Sequence, residues 1–484
     1  MTLGQDYACA LARAFGIAAG AVLMGVAVRA AIASCPRRLA RLLWLVHIVP
    51  FLTPVLLVGY AWSRYASSLI HYPAWNQALY TLLVWLRLTP VATLILHFAP
   101  SAMSPEATWC HKLLGKRMGG CVDGWMNVGE RQSSNHPFLQ SSPLLFWLHS
   151  SGRAFAVAFV VVFLLAFGEF EMASLLCIPS WTVTLFDAQA GGLALGESLR
   201  MAAPGLLIGV ALLGLGLWLL FTAPTRGIRP APARSAMGRA ARSLVGLYLL
   251  AALAVATLLP AWLVLEGAAR GLGLLPETLA LAKEVMASVV FGLAAAACAY
   301  WLSVIGCRLS GCRCAIAAAL CIPGLLGALV LALLILALFQ LPGLRAAYDT
   351  PIPLVVALTL LLLPFALVLR MLVSALRPGE ASHAARLLTA SSESKLARGG
   401  RRVLWHLEGQ GKLAVAFLLF CWGYFDLTAS AILAPSQMAP VIYRLYNFMH
   451  YGQTAALSTM VLVCFAVPFL LCGLFFASFR VLRG

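Results

Sequence analysis

Three carboxylates lie in otherwise apolar stretches: Glu169 and Glu171 in GEFEMASLL, and Asp426 in GYFDLTASAIL. A carboxylate in hydrocarbon is costly enough to mark, by default, a transport pathway or a bonded partner. A path lined by these acids favours a cationic solute, and the same groups could bind a coupling cation. The plainer alternative is that they cap broken helices or bond neighbouring helices near the outer interface. Arg87, in VWLRLTPV, is placed either to pair with one of the acids or to snorkel.

Other chemistry finds no residues to carry it. GCRLSGCRC holds Cys307, Cys312 and Cys314, but the spacing fits no common zinc pattern and lacks a nearby fourth ligand. The nine histidines form no HExxH or i, i+4 pair. EGQGKLA at 408–414 has Leu413 where a phosphate-binding loop needs Ser or Thr. No catalytic residue and no metal ligand is therefore assigned, and the chain carries no nucleotide-binding loop of its own. The 13 cysteines are scattered mainly through apolar stretches and read as small buried hydrophobes.

The acids belong to a repeat. Pro105 to Gly115, PEATWCHKLLG, aligns without gaps on Gly379 to Thr389, GEASHAARLLT, pairing Glu106 and Ala107 with Glu380 and Ala381. Lys112, Leu113 and Leu114 then fall on Arg386, Leu387 and Leu388. GRAFAVAF from Gly152 resembles GKLAVAF from Gly411, and the acidic motifs follow in the same order, pairing Glu171 with Asp426. The first copy is 19 residues longer between its polar motif and its acidic motif. As a helix, the second polar motif aligns Ala381, Ala384, Ala385 and Leu388 in a stripe, and the first aligns Ala107, Cys110, His111 and Leu114. Such stripes either dock on a partner or pack against the chain's own helices.

The elements that must hold these residues are membrane spans. The chain of 484 residues is 62% hydrophobic and 10% charged, with a mean hydropathy of +0.92. Soluble domains carry about 25% charged residues, so a globular water-soluble fold is excluded. Spans are expected at 12–34, 42–63, 78–99, 154–177, 200–222, 243–266, 283–304, 315–341, 352–376, 413–434 and 456–479, with Pro50, Pro54, Pro90 and Pro364 as kinks. The segment before the first span lacks the basic region and cleavage site of a secretory signal. The net charge of +18 follows from loops rather than from a nucleic-acid surface. Alternate loops and the C-terminus hold 25 Lys and Arg against 7 on the other side, which sets the N-terminus outside and the C-terminus in the cytoplasm. The Pro- and Arg-rich stretch at 223–242 is a linker between unequal halves, 1–225 with five spans and 226–484 with six. Six spans separate the polar motifs, so both face the cytoplasm and the repeat is parallel. The span at 243–266 has no counterpart in the first half, which either lacks it or begins one helix late.

With that frame, GEASHAARLLTASS resembles the EAA loop of permease subunits of ATP-binding-cassette importers. His383 to Thr389 fall on the family's EAA-to-glycine form, with His383 in place of the acid and Thr389 in place of the glycine. In the first half, Trp109 to Gly115 keep the glycine and lose the rest. The fused double form, with GEF after the first loop and PVIYRLYNFMHYGQTAALS near the end, is most similar to ferric-iron and thiamine permeases. The resemblance implies an all-α polytopic membrane protein of two parallel MetI-like repeats, with 11 or 12 transmembrane helices, in a bacterial inner membrane. It also implies that Glu106, Ala107, Lys112, Leu114 and Gly115, and Glu380, Ala381, Ala384, Ala385, Arg386, Leu388 and Thr389, couple to a cytoplasmic ATPase dimer. ATP would be bound by that partner, and a periplasmic or lipid-anchored binding protein would deliver the solute. No cofactor on this chain, no catalysis by this chain alone and no nucleic acid are expected. An ion-coupled secondary transporter using Glu169, Glu171 and Asp426, and a non-transporting membrane scaffold, are the alternatives.

Overall fold

The computed structural model describes residues 3–69, 71–98, 143–221, 238–271, 273, 281–306, 312–375, 379–391, 393–450 and 455–481. Glu106, Ala107, Lys112, Leu114 and Gly115, and most of the 223–242 linker, lie outside the described residues. All regular structure among the described residues is helical. That is the outcome expected where no water reaches the backbone, because a helix satisfies its own N–H and C=O groups.

The first half runs α1 (Leu3–Ser34), α2 (Arg37–Leu52), α3 (Val55–Leu69), α4 (Pro73–Phe98), α5 (Pro143–Phe167), α6 (Glu171–Leu175), α7 (Trp181–Ala190) and α8 (Leu195–Phe221). Next come α9 (Arg239–Leu253) and α10 (Leu259–Arg270), joined by a π-helical turn at Ala254–Leu258. The second half continues with α11 (Ala282–Gly306), α12 (Cys312–Leu325), α13 (Ala328–Phe339), α14 (Pro351–Ala375), α15 (Gly379–Thr389) and α16 (Ser394–Leu404). A second π turn, Trp405–Gly409, leads into α17 (Gln410–Tyr424), followed by α18 (Thr428–Leu433), α19 (Val441–His450) and α20 (Ala455–Val481).

Seven helical segments among the described residues are long and apolar enough to cross a membrane, and nine if each of two bent pairs is one span. Among the described residues, not all of the expected spans are unbroken helices. The expected spans 42–63 and 315–341 are the bent pairs α2/α3 and α12/α13, with bends of 71° and 116°. Pro54 lies at the first break rather than in a gentle kink. It leaves Thr53 extended, as a residue before proline prefers, while Thr53 Oγ1 donates back to Val49 O at 2.9 Å. At the second break Gly327 has φ +103°, a conformation a side chain resists. The expected spans 154–177 and 413–434 end early, at Phe167 and Tyr424, and each continues as a short helix.

Packing follows the same order in both halves. In the first, α1 lies against α4 and α5, α2 against α4, and α3 against α6. In the second, α11 lies against α14 and α17, α12 against α14, and α13 against α18. The segment α9–α10 crosses over: α9 packs on α2 of the first half, while α10 packs on α3 and on α20. Its π turn faces the first half, where Val255 O accepts Trp62 Nε1–H at 3.1 Å and Thr257 Oγ1 pairs with Thr53 Oγ1 at 2.8 Å. The outer surface is apolar, with Leu207, Trp218, Leu247 and Trp262 exposed, as suits a lipid solvent.

Candidate functional site

The three acids sit where long helices stop. After α5 ends, Gly168, Glu169 and Phe170 break the helix, and the Glu169 carboxylate turns to the N-terminus of α6. It accepts N–H from Met172 at 2.6 Å and from Ala173 at 3.1 Å, plus the Tyr80 hydroxyl at 3.1 Å. After α17 ends, Asp426 does the same for α18, accepting Ala429 N–H at 2.9 Å. Orphan N–H groups at a helix start in an apolar setting need an acceptor, and a carboxylate three residues upstream supplies one. By role, Glu169 is therefore the counterpart of Asp426, both two residues beyond a long helix. The sequence repeat pairs Asp426 with Glu171 instead, a register two residues off.

Glu171 reaches across the molecule. Its Oε1 accepts Leu427 N–H at 2.9 Å and lies 3.4 Å from the Thr428 hydroxyl, both on the second half. Arg87 takes neither of its expected courses in full: Nη2 donates to Thr53 O at 2.9 Å, filling a carbonyl freed at the α2/α3 break. Among the described residues, no group of three or more His, Cys, Asp or Glu is arranged to hold a metal ion.

A second constellation centres on α15, whose bounds are those of the polar motif. Ser382 and Ala385 are buried against α16, while Ala381, Ala384, Leu387 and Leu388 are exposed. Of the four residues in the expected stripe, only Ala385 is buried. At the end of α15 the crossing with α16 is close at Gly400, where a Cβ would stand 2.7 Å from Thr389 N and 2.8 Å from Leu388 Cβ. Arg386 Nη2 and Lys412 Nζ meet the two oxygens of buried Glu408, at 2.8 and 2.9 Å. Glu380 and His383 are exposed, and the Thr389 hydroxyl donates to Arg386 O at 2.6 Å, closing the last turn.

Thus α15 is clamped to the segment Ser394–Tyr424, which runs as unbroken helix for about 45 Å at 1.5 Å per residue. That segment ends at the Asp426 break. The sequence singled out Arg386 and the three acids but missed Glu408, Tyr446 and Ser174. The i, i+4 spacing of Glu408 and Lys412 was the signal available for the first. Compared with known proteins, the chain matches no family model and no curated protein.

Proposed function

We propose that this chain is the membrane-spanning permease of an ATP-driven importer, built of two parallel repeats at 1–225 and 226–484. It moves a small solute, of the ferric-iron or thiamine kind, into a bacterial cytoplasm by alternating access. The observation that carries this reading is α15: a short helix with an open apolar face, held by a salt-bridged clamp to a continuous helix that leads to the acidic break. A partner closing on Ala381, Ala384, Leu387 and Leu388 pushes on Arg386, Glu408 and Lys412, and so on α16 and α17 as one lever. The matching order of helix contacts in the two halves supports the paired design, since two levers turn two bundles. In this reading ATP is bound and hydrolysed on a separate cytoplasmic ATPase dimer, and a binding protein serves the outer mouth.

Deleting residues 380–389 tests the proposal. The expected result is loss of co-purification with a separately encoded ATPase and loss of ATP-dependent uptake, with the chain still in the membrane. Unchanged complex formation and uptake would sink the reading, and uptake that survives ATP depletion would favour an ion-coupled carrier.

A further inference from the structure

Helices in lipid gain little from apolar contact alone, so polar bonds between them matter where they occur. The two halves of this chain meet along such a seam. Glu171 of the first half holds Leu427 N–H at 2.9 Å, 256 residues away. Ser174 Oγ pairs with Tyr446 OH at 2.5 Å, and Tyr60 OH with Ser458 Oγ at 2.7 Å, all four residues buried. On one side these groups come from α3 and α6, which pack together; on the other they come from α18, α19 and α20, which contact in sequence. The bonds therefore run between two sets of neighbouring helices, one from each half.

Along that seam Glu171 makes its hydrogen bonds to the other half. The first turn of its own helix is already capped by Glu169, and α18 is already capped by Asp426. Glu171 adds a second carboxylate at the start of α18, within electrostatic reach of Asp426. The seam thus closes on a single N–H bond to Glu171 and two hydroxyl pairs. A few polar bonds between packed helices are contacts that a two-position element can make and break as a set.

We infer that the Glu171, Ser174 and Tyr60 seam is the latch that closes the solute path, with Glu171 as its pin. The word path rests on the permease reading; the latch itself does not. Amide hydrogen exchange by mass spectrometry on the full chain in lipid nanodiscs tests it. Glu171→Ala is expected to speed exchange at 427–433 at least tenfold, although the substitution is in the other half. Tyr446→Phe is expected to do the reverse, speeding exchange at 173–176. Glu266→Ala, which removes a peripheral acid paired with Arg270, should change neither segment. If Glu171→Ala lowers protection throughout α1 and α11, the isosteric Glu171→Gln, which keeps one acceptor oxygen, replaces it and should give a smaller rise confined to the seam. Unchanged exchange at 427–433, or a rise limited to 169–176, overturns the latch. In proteoliposomes, the Glu171→Ala/Tyr446→Phe chain should admit thallium ions at least fivefold faster than the wild type, read by quenching of an entrapped dye. Tight vesicles with a loosened seam would overturn its place on the path. Both readouts need no ATPase, so failure of the coupling proposal alone leaves them intact.

Discussion

Glu408 shows how much one buried charge decides. It is 3% exposed, yet both its cations are largely in solvent, with Arg386 and Lys412 side chains 62% and 46% accessible. Removing one cation leaves the acid paired with the other, and an exposed partner contributes only about 0.5–1 kcal/mol. Removing both strips the buried carboxylate of these two cations together, a change on the order of 3 kcal/mol. Arg386→Ala and Lys412→Ala should each lower the melting temperature slightly, while the double variant should fall by much more than the sum. Calorimetry in detergent checks this, and simple additivity would show that Glu408 is not held by the pair. The sequence exposed the pairing only in part. Arg386 stood out in its motif, but Glu408 lay in a polar run that resembled a failed phosphate loop, and burial against α15 is a tertiary fact that spacing does not encode.

At the scale of elements, the breaks hold the candidate acidic site and were the least legible feature. A hydropathy window averages over some 20 residues, so it runs straight through Thr53-Pro54 and Leu326-Gly327, where apolar residues continue on both sides. Gly327 makes the second break possible: its φ of +103° removes it from the conformations open to a side chain, and its Cα lies against Gly168 at the end of α5. Gly327→Ala should destabilise the chain by about 1–2 kcal/mol, the usual cost of forcing a side chain to positive φ. The loss should appear as a lower thermal midpoint and as faster exchange in α12 and α13 before other helices. An alanine variant as stable as the wild type would mean that α12 and α13 are not fixed at this bend. The acids illustrate the complementary case. Their place in an apolar run was plain from composition, whereas their partners are backbone N–H groups of helices that exist only because the long ones stop.

For the whole molecule, composition was enough to choose lipid over water as solvent, and the polar motif gave α15 its bounds. What neither could supply is how α9–α10 crosses onto the first half, since that depends on the π turn presenting Val255 O and Thr257 to Trp62 and Thr53. At the same global level stands the orientation expected from the 25 to 7 bias of basic residues, through the cost of moving cations across the bilayer. The bias is steepest around α14. On one side of it lies the 342–351 loop with Arg345 alone; on the other, residues 370–412 hold eight Lys and Arg, including those of α15 and α16. With 25 residues α14 is about 38 Å long, enough to separate the two aqueous phases. Alkaline phosphatase, active only outside the cytoplasm, should therefore be at least tenfold more active when fused after Gly343 than after Ser391. A cytoplasmic fluorescent reporter at the same two points should give the opposite ranking. Equal activities would show that α14 does not cross the membrane. An inverted ranking would put α15 outside, where no ATPase reaches it, and would remove the coupling proposal while leaving the Glu171 seam to be explained by another transport cycle.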